Sequence, residues 1–264
     1  MLDYKLKIGL IPDVRDLGDF ATRKGIFEPA KGVEIKNKTV SYIKENFKDD
    51  QTEFYDLEWL NELGVLYKNS DCDKVCDYLR QQKADAIFII NCNFGNEEVC
   101  GQLAKKMGLP VLLWGPQDMV FEEDGQRYTD SQCGLFAISK QLRRYKVPFS
   151  YIENCPVESD VFRCGFSRFL SVVTMVKNFK KLNVVQVGTR LTPFKSVMYN
   201  ELELTEKFGI NINNVNMAVV SDKFNKALNS RDDELEKDLA ELKELYDVSG
   251  LSDEALKKML TFVY

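Results

Sequence analysis

The fold is decided by the stretch "ADAIFIINCNFGNEEVCGQLAKKMGLPVLLW", residues 84–114. Its first apolar run, "AIFIIN", is short and rich in β-branched residues, which is typical of a strand buried on both faces. A helix is predicted over 96–107, because Gly108 and Pro110 end the helical pattern. The apolar run "VLLW" at 111–114 then repeats the strand signal. Strand, helix and strand at this spacing predict a parallel βαβ unit with a right-handed crossover.

The same alternation continues on both sides of this unit. Short apolar segments predict further strands, and amphipathic segments between them predict further helices. The additional strands are predicted at 5–10, 52–57 and 148–152, and the additional helices at 34–47, 71–82 (with Asp71 as its N-cap) and 131–147. Residues 1–158 are therefore predicted to form an α/β domain with a five-stranded, doubly wound (Rossmann-like) parallel sheet.

A second α/β domain is predicted in residues 159–264. It opens with a long amphipathic helix that bridges the two domains, and its apolar face carries Phe162, Phe166, Phe169, Val173 and Val176. The pattern after this helix predicts a strand at 183–187, a turn at Gly188, a helix from Pro193 to 208 and a strand within 210–220. Two helices are predicted to close the chain. The first has a Ser230–Asp233 capping box, and the second starts at Ser252. Two strands are fewer than a parallel sheet covered on both faces normally has, so this second doubly wound domain is expected to be incomplete.

The composition excludes several classes of function. A net charge of -5, with the basic residues dispersed along the chain, argues against a nucleic-acid partner. The chain has no histidine, which excludes Ser-His-Asp and Cys-His catalysis and removes the commonest transition-metal ligand. No apolar run approaches the ~20 residues that span a bilayer, and the first residues are charged where a signal peptide is apolar. A cytoplasmic location and no membrane partner are expected.

The cysteines and glycines give no sign of a cofactor site. Seven scattered cysteines indicate free, structural thiols in a reducing compartment. Cys72 and Cys76 share a predicted helix face, but no CxxC motif is present to complete a zinc site. No strand is followed by a GxGxxG or GxxxxGK nucleotide fingerprint. Any chemistry done by this chain alone would have to use carboxylates, Lys, Arg, Tyr or Cys, and no catalytic residue or metal ligand is assigned.

Polar and aromatic residues follow several predicted strands, where open α/β sheets bind ligands. They combine planar amides and a carboxylate, which bond hydroxyl groups, with aromatic faces, which cover C–H surfaces, and they are Asn91, Asn93, Phe94, Trp114, Gln117 and Asp118. Such a set suits a polyol, and the alternative is that these are turn residues that satisfy helix N-termini. Arg15, after the first strand, is interpreted either as a contact to a ligand oxygen or a neighbouring subunit, or as a plain surface residue.

Several stretches together carry a family resemblance. They are "KIGLIPDVRD", "ADAIFIINCNFGNEE" with "GLPVLLWGPQD", "DSQCGLFAISKQLRRYKVPF", and "VVQVGTRLTPFKSV" with "KFGININNVNM". In order and spacing they resemble the N-terminal part of the L-fucose and L-arabinose isomerase superfamily, over almost the whole chain. The resemblance implies an oligomeric aldose–ketose isomerase with three domains that uses Mn²⁺ or a similar divalent ion.

In that family the metal-binding Glu and Asp follow the helical stretch that matches 232–262, and a His ligand comes from the third domain. The chain is therefore expected to be the N-terminal portion or subunit of such an enzyme, without the metal-binding catalytic residues and inactive alone. The resemblance makes Arg15 and the 91–95 turn the leading sugar contacts, capping the active site of an adjacent subunit, with Trp114, Gln117 and Asp118 behind them.

This role implies a homo-oligomer, or a partner that carries the remaining catalytic region. The alternative function is a non-catalytic cytosolic sugar-binding or regulatory module, resembling the two-lobed periplasmic-type receptors. A single long helix between the domains, in place of several hinge crossings, favours the isomerase interpretation.

Overall fold

The computed structural model describes residues 4–15, 26–118, 125 and 127–263. The chain forms two compact units, Met1–Asn178 and Phe179–Tyr264, and each is considered separately. Among the described residues, no helix combines the length and the apolar character needed to cross a membrane.

The first unit is built on a five-stranded sheet in which every pairing is parallel. Its strands are β1 (Leu6–Asp13), β2 (Thr52–Tyr55), β3 (Ala86–Asn91), β4 (Val111–Trp114) and β5 (Phe149–Tyr151), in the spatial order β2-β1-β3-β4-β5. This result confirms the predicted Rossmann-like α/β fold. The order reverses direction between β1 and β3, so the topological switch point lies between these two strands.

Helices cover both faces of this sheet. They are α1 (Pro29–Phe47), α2 (Cys72–Gln81), α3 (Glu97–Met107), α4 (Ser131–Arg144) and α5 (Asp160–Phe179). The core under α1 and α5 includes Phe88 and Trp114, whereas the core under α2, α3 and α4 includes Ile87 and Leu113. All six residues of β3 are buried, as its uninterrupted apolar sequence predicts.

Asp71 lies at the predicted N-cap position of α2, but its side chain does not cap the helix. The side chain of Asp71 makes no capping hydrogen bond to α2, because a 3₁₀ turn over Asn69–Asp71 precedes the helix. The Asp71 carboxylate instead accepts a hydrogen bond from Lys74 Nζ at 2.8 Å. A sequence pattern does not distinguish these two uses of an aspartate in a first helical turn.

The long helix α5 packs with the first unit. Phe162, Phe166, Phe169 and Val173 are buried against the sheet, and the ring of Phe162 lies 4.8 Å from that of Trp114. Because this apolar face completes the first core, the chain divides between Asn178 and Phe179, whereas the sequence pattern predicts that the helix belongs to residues 159–264. The functional division into domains 1–158 and 159–264 stays a prediction.

The second unit contains a parallel pair of strands, β6 (Asn183–Val187) and β7 (Asn211–Val215). Its helices are α6 (Glu201–Phe208), α7 (Met217–Ser230), α8 (Asp232–Leu245) and α9 (Asp253–Thr261). The predicted strand at 183–187 is confirmed. The Ser252 side chain caps α9, as predicted, by accepting a hydrogen bond from the Ala255 amide at 3.3 Å.

Two predicted helix starts in this unit are wrong. Pro193 does not begin a helix, because Asn200 has extended backbone and its side chain accepts from the Glu203 amide at 3.2 Å, which starts α6. Ser230 is the last residue of α7, so it cannot form a capping box for α8.

Candidate functional site

The carboxyl ends of β1 and β3 lie side by side at the switch point. Asp13, the last residue of β1, is in register with Asn91, the last residue of β3. In open parallel sheets, ligands bind where the strand order reverses, because the loops that follow the two strands diverge there and leave a crevice. The residues that follow β1 and β3 are therefore the first candidates for a site.

Asn93 holds the two loops at this point together. Its Oδ1 accepts hydrogen bonds from the backbone N–H of Arg15 at 3.0 Å, of Phe94 at 2.6 Å and of Gly95 at 3.2 Å. Its Nδ2 donates to the Phe27 carbonyl at 3.3 Å, and the side chain is fully buried. These contacts make Asn93 a positioning residue that fixes Arg15 beside the loop after β3.

Arg15 and Phe94 form the accessible part of this arrangement. Arg15 Nη2 donates to Glu97 Oε2 at 2.8 Å, and its Cζ lies 4.5 Å from the centroid of the Phe94 ring. The Phe94 ring in turn lies 4.8 Å from that of Phe27. The Arg15 side chain is 20% exposed, and a guanidinium has five N–H donors, so it can bond ligand oxygens in addition to Glu97.

A buried carboxylate, Asp13, lies directly beneath this loop. Its two oxygens accept from the Asn96 backbone N–H at 3.0 and 2.8 Å, and the Cys100 thiol also donates to it. Burial raises the pKa of Asp13 to about 7, although these hydrogen bonds and the charge of Arg15 oppose the rise. Asp13 is not among the predicted site residues, and the available signal was a carboxylate at the end of the apolar run 8–12.

Two glycines allow the loop after β3 to fit between the sheet and α4. Gly95 has φ +77°, and a Cβ there would overlap Asp13 Oδ2 and lie 2.7 Å from Asn91 Nδ2. A Cβ on Gly134, in α4, would overlap the carbonyl oxygen of Phe94 and lie 2.7 Å from its carbonyl carbon. The loop that carries Phe94 is thus clamped between β1 and α4.

A second group of predicted residues lines a cavity of about 380 Å³ at the end of β4. The lining includes Trp114, Gln117 and Asp118, together with residues of α1 and of the segments before α4 and α5: Glu34, Ile35, Lys38, Thr39, Pro116, Thr129, Pro156 and Val157. Trp114 is fully buried, and its Nε1 has no hydrogen-bond partner within the described part of the chain. Buried indole N–H groups normally have an acceptor, so this buried donor is an exception.

The other polar members of the predicted set differ in how many of their polar atoms are hydrogen bonded within the described part of the chain. The Asp118 oxygens accept from the backbone N–H of Ser131 at 2.6 Å and of Gln132 at 3.1 Å, so Asp118 caps α4. Gln117 is exposed. Asn91 Nδ2 donates to the Phe94 carbonyl at 2.9 Å, while Asn91 Oδ1 is buried without a partner among the described residues.

The structure thus brings the predicted residues together in two groups. Arg15, Asn91, Asn93 and Phe94 meet at the switch point, and Trp114, Gln117 and Asp118 meet at the cavity. The contacts of Asp118 fit the alternative interpretation, in which this residue satisfies a helix N-terminus.

The glycine turn of the second unit borders another cavity, of about 600 Å³. It is lined by Gln186, Gly188, Thr189, Glu201, Asn214, Val215, Asn216 and Met217. Arg190, in the same turn, donates to the carbonyls of Leu191 at 2.8 Å and Thr192 at 3.0 Å, so it supports its own loop.

The candidate metal ligands of this chain do not suit the Mn²⁺ that the family resemblance implies. Within the described ranges, the side chains close enough to share an ion are Cys72, Asp73 and Cys76, and the chain has no histidine. Manganese prefers oxygen ligands, whereas two of these three are sulfur. All seven cysteines are free, as predicted, and a hydrogen bond from Cys76 lowers the pKa of the Cys72 thiol.

Comparison with known proteins gives one family match. A family model described as "Fucose/sulfoquinovose isomerase, N-terminal domain" matches residues 18–180. The match includes the loops after β3 and β4, and it begins just after Arg15. No curated protein matches the chain.

Proposed function

The chain belongs to the fucose/sulfoquinovose isomerase family, through the N-terminal domain of that family, and on this premise we propose that it is the N-terminal portion or subunit of a sugar isomerase that interconverts an aldose and a ketose. Its role in that enzyme is to contact the sugar and to form part of an oligomer interface.

The observation that carries this proposal is the position of Arg15 and Phe94 at the β1/β3 switch point. Asn93 accepts from the backbone N–H of Arg15, and Glu97 accepts from the guanidinium, which lies against the Phe94 ring; the side chains of Arg15 and Phe94 remain partly exposed. A guanidinium donates to hydroxyl, carbonyl or sulfonate oxygens, and an aromatic face covers the C–H groups of a sugar. The pair therefore has the two chemical properties that sugar recognition requires.

The cavity at Trp114 supports the same proposal. Its volume of about 380 Å³ falls in the range of small-molecule sites. The indole Nε1–H can donate to a sugar hydroxyl, and the exposed Gln117 amide can both donate and accept. We assign this cavity to the sugar as a second group of contacts, ranked after Arg15 and Phe94.

The proposal divides the chemistry between this chain and a further catalytic region. Mn²⁺ or a similar ion, with its carboxylate and histidine ligands, belongs to that region, which is supplied by the same polypeptide or by a partner. The assembly is a cytoplasmic homo-oligomer or a complex with that partner, and its substrates include L-fucose-like or L-arabinose-like sugars.

Arg15→Ala should weaken binding of the cognate sugar about tenfold, because a charge-assisted hydrogen bond contributes roughly 1.5 kcal/mol or more. Isothermal titration of the chain with L-fucose, L-arabinose and sulfoquinovose identifies the sugar and measures the change. Arg163→Ala is the matched control, since Arg163 is an exposed arginine paired with Asp160 on α5, and it should bind like the wild type. Equal affinity of the Arg15→Ala variant and the wild type would contradict the assigned contact.

The division of chemistry has its own test. The chain incubated with Mn²⁺ and each of the three sugars should produce no ketose, because the proposed metal ligands lie elsewhere. Turnover by this chain alone would contradict the division. If every complex of this chain with a catalytic region from the family also fails to convert the sugar, while the sugar still binds, the chain is the sugar-binding or regulatory module.

A further inference from the structure

The first two turns of α2 carry three side chains that can ligate one ion. Cys72 and Cys76 are four residues apart, so their thiols lie on the same helix face, one turn apart. One ligand atom from each of Cys72, Asp73 and Cys76 lies within 4.8 Å of the other two. A tetrahedral zinc ion holds two sulfurs about 3.8 Å apart, since each Zn–S bond is about 2.3 Å. Small side-chain rotations therefore bring the three groups to bonding distance.

The burial of these groups differs in a way that suits a metal ion. The thiols of Cys72 and Cys76 are buried against the sheet, whereas the Asp73 side chain is 76% exposed. The Asp73 carboxylate is therefore the ligand that faces solvent, and water can fill the fourth position on that side. Cys100, on the adjacent helix α3, is engaged with Asp13 and is not part of this set.

The surrounding charges favour negatively charged ligands at this place. The N-terminal turn of a helix directs unpaired backbone N–H groups and a partial positive charge toward its side chains. The ammonium group of Lys106, on α3, lies 2.5 Å from Asp73 Oδ1 and leaves Oδ2 for another partner. The two thiols hydrogen bond to each other, and binding of an ion replaces that bond with two metal–thiolate bonds and releases the two thiol protons to solvent.

From this geometry we propose that Cys72, Asp73 and Cys76 bind a thiophilic divalent ion of the Zn²⁺ class. The site lies at the start of α2, is independent of the proposed sugar contacts, and is chemically distinct from an Mn²⁺ centre. Binding links the first and second turns of α2 through one ion and stabilises the first unit, because the ion binds the folded chain in preference to the unfolded one.

The test uses a background variant, Cys133→Ser/Cys164→Ser, which removes the two exposed cysteines. Titration of this reduced protein with Cd²⁺ should give a thiolate-to-cadmium charge-transfer band that saturates at one ion per chain, and Zn²⁺ should displace the Cd²⁺. Adding Cys72→Ser or Cys76→Ser should abolish the band, whereas adding Cys155→Ser, a buried cysteine outside α2, should leave it unchanged.

If a cysteine variant fails to fold, Asp73→Asn tests the site instead, because the Asp73 side chain is exposed. This substitution should lower Cd²⁺ affinity about tenfold, and Zn²⁺ should raise the Tm of the background protein more than that of the Asp73→Asn protein. Absence of the band in the background protein, a band that survives Cys76→Ser, or unchanged affinity in Asp73→Asn would each overturn the proposal.

Discussion

Gly134→Ala should reduce the unfolding free energy of the first unit by roughly 3 kcal/mol, because overpacking against a rigid neighbour costs this much. The new Cβ would overlap the carbonyl oxygen of Phe94 and come within 2.5 Å of Asn91 Nδ2. A backbone carbonyl cannot rotate away as a side chain can, so α4 or the loop after β3 must shift. The clash outweighs the roughly 1 kcal/mol that alanine gains over glycine inside a helix.

Denaturant unfolding followed by tryptophan fluorescence measures this loss in the first unit alone, since Trp59 and Trp114 both lie within Met1–Asn178. Gly101→Ala is the matched control. Gly101 is also helical, but the nearest atoms to a Cβ there belong to the Tyr145 ring, at 2.9 Å, and to Gln141 Cβ, at 3.1 Å, and neither is a backbone atom. This control should stay within about 1 kcal/mol of the wild type. If Gly134→Ala is as stable as Gly101→Ala, the loop is not clamped as described.

Asp13→Asn should remove a pH dependence of stability between about pH 4 and pH 7. The pKa of Asp13 is raised from 3.8 to about 7 in the folded chain, mainly by burial. Between these values the unfolded carboxyl has lost its proton while the folded one keeps it. The native state therefore binds more protons, so the stability due to Asp13 falls as the pH rises through this window and is constant above it.

At about 1.4 kcal/mol for each pH unit, the full change is roughly 4 kcal/mol. The measurement is the difference in unfolding free energy between Asp13→Asn and the wild type from pH 4 to pH 8, in which the other titrating groups cancel. The stability of Asp13→Asn relative to the wild type should increase up to about pH 7 and then stay constant. A difference that does not change with pH would show that Asp13 does not hold its proton in the fold.

Much of the first unit could be predicted because its strands are buried on both faces. The run at 86–91 has no polar alternation to confuse with a helix, and Gly108 ends α3 with a left-handed residue. In the second unit the local signals compete. Pro193 and Asn200 are both acceptable helix starts, and only the backbone conformation at Asn200 decides between them.

The candidate site could be predicted only as a set of positions. Strand ends indicate where a ligand binds, so Arg15 and the loop after β3 were found from their place in the sequence. Whether a side chain faces a ligand or holds a loop depends on partners that are distant in sequence. Asn93 bonds Arg15 and Phe27, and Asp118 bonds Ser131, so no local pattern reveals their structural roles.

Asp13 was missed for a related reason. Its environment is created by α3, which begins 84 residues later at Glu97, and by the glycine at position 95. Sequence shows a carboxylate at a strand end, but it does not show that Cys100 and the Asn96 amide enclose it.

The most direct test of the sugar-contact role is the nuclear magnetic resonance signal of the Trp114 indole N–H. The chain has two tryptophans, so Trp59→Phe leaves a single indole signal, and ¹⁵N labelling also reports the Phe94 amide. Titration with L-fucose, L-arabinose or sulfoquinovose should shift the Trp114 indole and Phe94 amide signals with one saturation curve for the cognate sugar. If neither signal moves with any of the three sugars, the carboxyl edge of the sheet is not a sugar-contact surface.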